Sequence, residues 1–178
     1  KIKRTEYRKR ITNYKLPIKN LHKHMQQKIY FAQKGLVLDE TKTKILVHKY
    51  SGAKYQNIKL AGKLGLPGGR IHFGEQPDDS LVREVEEETG IIITPLLPFY
   101  VWTWTYQKED EEAQIVAVAR IGIYKSGAFH EAQDEPESTI EKSFWLDIEQ
   151  VNLDDFIEDE IPVIQMFLEY RKNNPFVL

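Results

Sequence analysis

With 178 residues the chain is long enough for one domain with a single sizeable core and short for two. It contains no cysteine, which excludes a disulfide framework, a thiolate metal site and a cysteine nucleophile. No apolar run approaches the ~18 residues of a membrane span and the N-terminus lacks the apolar core of a signal peptide, so the expectation is a soluble, cytoplasmic protein. A formal net charge of -2 conceals an asymmetry: residues 1–28 carry ten Lys/Arg against one acid, Glu6, leaving fifteen against twenty-six in the remainder.

Residues 1–27 read as a basic extension, whose sparse apolar positions (Ile11, Tyr14, Leu16, Ile18, Leu21, Met25) suit a segment lying on a surface. Its charge suits nucleic acid or another anionic surface, and equally the acidic body of the same chain or of a partner subunit. His22 and His24 read as an exposed pair on this extension. The main domain then runs over residues 28–178. Residues 29–38 and Lys44–Tyr50 are β-rich runs separated by Asp39-Glu40-Thr41-Lys42, which predicts a hairpin. Residues 51–65 have no clear period and read as a long loop. Leu66-Pro67-Gly68-Gly69 predicts a turn, and residues 70–73 a short strand.

A helix is predicted over residues 77–89. Pro77 suits its first position, Asp78 and Asp79 suit the positive pole of its dipole, and Gly90 supplies the stop. Residues 91–94, 100–106 and 114–124 have the β-branched and aromatic content of strands, with residues 108–112 as a charged hairpin loop. Residues 125–138 read as polar loop and 140–146 as a strand. Residues 161–171 read as a helix with Ile161, Ile164, Phe167, Leu168 and Arg171 at helical spacing and Pro162 in its first turn. Strands with two separated helices predict a layered α/β domain.

The helix carries a problem at its C-terminal end. At about 100° per residue, Glu84, Glu87 and Glu88 fall on one arc bordering the apolar stripe of Leu81, Val82 and Val85, while Glu86 points away. A solvated acidic face is the competing explanation, but like charges three and four apart cost a helix roughly 0.2 to 0.5 kcal/mol per pair. The dipole at this pole disfavours anions as well. A cation reverses both signs, and magnesium in particular accepts carboxylates together with substrate phosphates. Arg83, within helical reach of Glu87, suits a guanidinium that holds a ligand carboxylate.

Gly69, Glu75, Arg83, Glu84, Val85, Glu87, Glu88, Gly90 and Ile91 match every position of the Nudix box: glycine, five residues, Glu, seven residues, Arg-Glu, an aliphatic, one residue, Glu-Glu, one residue, Gly, an aliphatic. At ordinary residue frequencies its seven identities would coincide in about one window in 10⁸ to 10⁹. The chain therefore resembles the Nudix hydrolases, with residues 28–178 as the Nudix domain. The resemblance extends to the preceding strands, the Leu66-Pro67-Gly68-Gly69 turn and Phe144-Trp145-Leu146. It implies an α/β/α sandwich with a mixed β-sheet between helices. It also implies hydrolysis of a nucleoside diphosphate linked to another moiety, using Mg2+ or Mn2+. Carried over by position, Glu84, Glu87 and Glu88 would be metal ligands, with a backbone carbonyl from Gly69 or Gly68. Glu75 would bind metal or buttress the site, Arg83 would orient a glutamate, and Glu87 would be the general base, with Glu137 and Glu141 in reserve among Glu131, Glu135, Glu137 and Glu141. His72 stands at a variable position and is assigned strand packing or substrate contact.

Substrate choice in this family is set outside the box. The alternating run Tyr100-Val101-Trp102-Thr103-Trp104-Thr105-Tyr106 reads first as a strand with a core face and second as a stacking surface for a base. Pro95 and Pro98 follow the box at once, whereas relatives acting on ADP-sugars carry a proline well downstream. Tyr106 faintly resembles the downstream tyrosine of dinucleoside polyphosphate hydrolases. The expectation is a nucleoside triphosphate or related nucleotide as substrate, no membrane association, and a homodimer as in many relatives. The alternatives are an RNA 5′-end pyrophosphohydrolase that grips RNA with the basic extension, and a nucleotide-sensing Nudix module without turnover. The intact box speaks against the second.

Overall fold

A computed structural model describes residues 26–51, 60–108, 111–130 and 139–173. Most of the basic extension, with His22 and His24, and the loop glutamates Glu131, Glu135 and Glu137 lie outside the described residues. In chain order the elements are β1 (Gln26–Leu38), β2 (Lys44–Tyr50), β3 (Leu64–Gly65), α1 (Pro77–Thr89), β4 (Ile91–Lys108), β5 (Glu111–Gly127), β6 (Ile140–Asp147), three short 3-10 turns, and α2 (Ile161–Asn173).

The expected hairpin of β1 and β2 forms only at its turn. Asp39 shapes it, accepting the N–H groups of Thr43 and Lys44 at 2.9 Å each. Among the described residues, Leu38 and Ile45 are the one matched pair between these strands. Beyond it β1 runs parallel to β5, from Gln26 opposite Glu111 to Leu38 opposite Ile123, whereas β2 pairs antiparallel with β6 and β3. The resulting sheet has the order β3-β2-β1-β5-β4, with β6 on β2. Local pattern identifies strands but not partners, because a parallel partner comes from a distant part of the chain.

Two further expectations are corrected. The runs 91–94 and 100–106 belong to one strand, β4, whose register with β5 shifts between Pro95 and Pro98 and again between Pro98 and Tyr100. Prolines lack the ladder donor, so they interrupt the pairing without ending the strand. The short strand expected at 70–73 is reduced to an isolated bridge between Arg70 and Ala32, and Leu64–Gly65, read as loop, is the short strand β3.

Side-chain alternation along the strands separates two apolar layers. Leu36, Leu38, Ile45, Val47, Ala119 and Ile121 pack with Val163, Ile164 and Phe167 of α2. Val37, Leu46 and Ile93 face the other way and pack with Leu81 and Val85 of α1. Helices thus cover both faces of a mixed sheet, an α/β/α sandwich. The aromatic stripe of β4 is core on one face: Trp102, Trp104 and Tyr106, partly buried, pack on Ala32, Ile115 and Ala117, while Val101, Thr103 and Thr105 are exposed. Among the described residues, no helix is long and apolar enough to cross a membrane.

Helix α1 has the predicted bounds. Pro77 starts it and Gly90 ends it in the left-handed region at φ 78°, donating its N–H to the carbonyl of Glu86. Leu81 and Val85 are anchored in the core and fix the helix's rotation. That rotation turns Glu84 and Glu88 of the arc toward the turn at residues 66–69.

Candidate active site

Arg83 gathers the carboxylates of the box. Its Nε and Nη2 donate to the two oxygens of Glu75 at 2.8 and 3.0 Å, a bidentate pair. Its Nη1 donates to Glu84 Oε1 at 2.8 Å and to Glu87 Oε2 at 3.0 Å. The fork geometry of guanidinium makes these simultaneous bonds possible, and lysine has no equivalent arrangement. Glu75 also accepts the backbone N–H of His72 at 2.9 Å. Arg83 and then the His72 N–H hold the Glu75 carboxyl down at about 2. The same bonds, Glu75 first, then Glu84 and Glu87, raise the Arg83 guanidinium against the cost of its burial.

Glu88 is placed differently. Its Oε2 accepts the N–H of Gly68 at 2.7 Å and lies 3.8 Å from Nδ1 of His48. Although 24 % of its side chain is exposed, the carboxyl end is turned inward. Burial pushes it up to about 7, with the Glu84 and Glu160 carboxylates adding to the rise and Lys34 and the Gly68 N–H opposing it. Glu87 is the most open of the arc at 60 % side-chain exposure.

The glycines are part of this geometry. A Cβ on Gly69 would lie 2.2 Å from Glu84 Oε2, so a side chain at 69 would occupy the space that the Glu84 carboxylate fills. The Gly69 carbonyl accepts the Gln33 N–H at 2.9 Å, which ties the turn to β1 and leaves one carbonyl lone pair. Glu141, a reserve candidate for the base, instead pairs with Lys49 on the neighbouring strand at 3.3 Å. His72 is exposed.

The donor set suits a hard divalent cation: carboxylate oxygens with excess negative charge, one of them desolvated, beside a turn with no side chain at 69. Glu84 and Glu87 each keep an oxygen beyond their bond to Arg83, and Glu88 one beyond its bond to Gly68. Among the described residues, no three His, Asp or Glu side chains converge into a ready cage. Arg83 Nη1 bridges Glu84 and Glu87.

Three residues that sequence reasoning passed over stand against the site. His48, on β2, is 1 % exposed, and neither ring nitrogen has a hydrogen-bond partner. Burial, then the Lys34 charge, depresses it well below the ordinary histidine range, so it is neutral beside Glu88. Lys34 and Glu160 are the other two, buried near the turn at residues 66–69. The one signal for His48 and Lys34 was a polar residue at a buried position of a strand.

A titration follows from Glu88. Its folded value lies above the ordinary 4.5, so between about 4.5 and 7 the unfolded chain gives up a proton that the folded protein keeps. Its contribution to stability therefore falls as pH rises through that window and is flat above it. In metal-free buffer, thermal unfolding of the native protein and of Glu88→Gln from about pH 4 to 8 should show the native protein losing stability relative to the variant across the window. A difference independent of pH would mean that Glu88 is not desolvated.

A family model described as the NUDIX domain matches residues 32–167. The 8-oxo-dGTP diphosphatase of Escherichia coli (strain K12) is 53 % identical over 32 residues, 18 % of this chain and 25 % of that protein. The ADP-ribose pyrophosphatase of Methanocaldococcus jannaschii is 27 % identical over 85 residues, 48 % of this chain and 49 % of that protein. The chain thus spans from a quarter to about half of the length of these curated relatives. Among solved structures, a NUDIX hydrolase from Nitrosomonas europaea superimposes with a TM-score of 0.58 at 19 % identity, covering 81 % of this chain and 89 % of that one. A UDP-X diphosphatase gives 0.57 at 16 % identity, covering 96 % and 71 %. At such identities these structures attest the shared fold.

Proposed function

Because the chain belongs to the Nudix family, we propose that it is a metal-dependent hydrolase of a nucleoside diphosphate linked to another moiety, with a nucleoside triphosphate or related nucleotide as substrate. The observation that carries this reading is the gathering of Glu75, Glu84 and Glu87 on Arg83, with Glu88 held by Gly68 on the same helix end. Pyrophosphatase and diphosphatase relatives support the reaction class.

The demand on such a site is electrostatic, since a diphosphate repels an attacking water with its own charge. Bound Mg2+ or Mn2+ would neutralise phosphoryl oxygens and acidify a water. Glu84, Glu87 and Glu88 would hold it, with the remaining lone pair of the Gly69 carbonyl. Glu75 anchors Arg83, and Arg83 fixes the orientation of Glu84 and Glu87. Glu87, the most solvent-accessible of the three, takes the proton as water oxygen bonds to phosphorus and the bridging P–O bond breaks. The second phosphate leaves with its substituent.

The test is a panel of nucleoside triphosphates, oxidised nucleotides, ADP-ribose, a UDP-sugar and 5′-triphosphorylated RNA with magnesium or manganese, scored by released phosphate and nucleotide. Turnover of at least one small nucleotide, abolished by a chelator, is expected. Turnover of RNA alone would move the substrate to RNA ends. No turnover across the panel would indicate a sensor.

A further inference from the structure

Lys34 and Glu160 form a buried ion pair that the proposed chemistry does not use. Lys34 is on β1 and its side chain is 12 % exposed; Glu160, on the 3-10 turn before α2, is 2 % exposed. Their charged atoms are 3.5 Å apart, and each also binds one peptide of the glycine turn. Lys34 Nζ donates to the carbonyl of Leu66 at 3.0 Å, and Glu160 Oε2 accepts the N–H of Leu66 at 2.7 Å.

A reason for this arrangement lies in the residue that follows. The turn is held to β1 at Pro67 and Gly69, whose carbonyls accept the N–H groups of Gly35 and Gln33 at 2.8 and 2.9 Å. Pro67 has no N–H to extend that ladder. Leu66, immediately before it, is instead held by side chains at both its N–H and its carbonyl, one in each of the two peptides that flank its Cα. Two residues further on, the Gly68 N–H bonds Glu88, and then Gly69 abuts Glu84. A buried ion pair is a poor general stabiliser, because desolvation of the two charges offsets their attraction. Fixing the N–H and carbonyl of one residue in place is a use that a pair of apolar residues cannot replace.

We propose that Lys34 and Glu160 are positioning residues that clamp the backbone of Leu66 from both sides of its Cα and thereby set where Gly68 and Gly69 stand against Glu88 and Glu84. The inference rests on the hydrolase reading for its kinetic consequence, but its structural consequence can be measured without turnover.

The test compares Glu160→Ala and Glu160→Gln with the native protein by amide hydrogen exchange in metal-free buffer and by steady-state kinetics on whichever nucleotide the native protein cleaves. In Glu160→Ala the amides of Leu66 and Gly68 should exchange at least about tenfold faster while those of Ala117 and Ala119 in β5 keep their native rates. Turnover should fall about 10- to 100-fold in kcat with little change in KM, the scale seen when a group supporting a ligand is lost. Glu160→Gln, which keeps an acceptor for the Leu66 N–H, should recover most of the protection and of the rate. Native exchange at Gly68 in Glu160→Ala would overturn the proposal, as would slowed turnover that glutamine fails to rescue. If Glu160→Ala does not fold, Lys34→Met, which removes the donor to the Leu66 carbonyl and the charge facing Glu160 but leaves the Leu66 N–H its acceptor, is read by the same amides and criteria. If the native protein turns over nothing, the hydrolase reading fails while the exchange data still decide the clamp.

Discussion

Replacing Glu87 by glutamine is expected to lower metal-dependent turnover by about 10²- to 10⁴-fold, the range of a lost general base, with KM changed far less. The substitution keeps size and one hydrogen-bond acceptor, so Arg83 Nη1 retains a partner in place of the 3.0 Å contact to Glu87 Oε2. It cannot act by unfolding the helix. Glu87 stands three residues from Glu84 in the last turns of α1, where repulsion and the dipole both oppose an anion, so the neutral variant should be as stable as the native protein or slightly more so. Glu84→Gln and Glu88→Gln should lower turnover too, through metal affinity, and most of their loss should be recovered at high metal concentration, whereas Glu87→Gln, which loses the base as well as a ligand, should recover least. The measurements are kcat and KM at several metal concentrations together with the thermal midpoint. Near-native rates in both Glu87→Gln and Glu88→Gln would end the assignment of this arc as the catalytic centre.

Gly68→Ala should destabilise the fold by about 3 kcal/mol, combining backbone strain of order 1–3 kcal/mol with a steric clash. Gly68 has φ 127°, a conformation that side chains rarely adopt, and a Cβ there would lie 2.4 Å from the carbonyl oxygen of Gln33 and 3.1 Å from Cα of Lys34. Both neighbours are backbone of β1, a central strand, so no rotamer change relieves the contact. At ~2–4 °C per kcal/mol for a domain of this size, the thermal midpoint should fall by about 6–12 °C. Gly74→Ala is the control. Gly74 also has positive φ, 84°, but nothing lies within 4 Å of its Cβ position, so it should lose only the ~1–2 kcal/mol of left-handed strain. Equal losses in the two variants would show that conformation alone matters and that the approach to β1 does not.

The contrast between these two glycines also marks where sequence reading ends. Both sit in one loop and look alike as letters, and Gly69 matched a family position whereas Gly68 was only its neighbour. The distance to Gln33 distinguishes them, and Gln33 lies on a different element. The same holds for Glu88. Its place on the helix arc was readable from spacing, but its rise to about 7 is caused by burial, with Glu160, Lys34 and the Gly68 N–H from elsewhere in the chain adjusting it. For Arg83 the sequence suggested one glutamate partner, Glu87 at helical spacing; the structure adds Glu84 and a bidentate bond to Glu75.

What the sequence by itself determined is the helix Pro77–Thr89, its stop at Gly90 and the common arc of Glu84, Glu87 and Glu88. Rigid helical geometry turns residue spacing directly into spatial proximity, and the Nudix box consists of that helix, the loop before it and the two residues after it. What only the tertiary structure decided is the parallel pairing of β1 with β5, the merging of two runs into β4 around Pro95 and Pro98, and the placement of His48, Lys34 and Glu160 around the turn. Strand partners and desolvation depend on residues distant in the chain, and no local period encodes them.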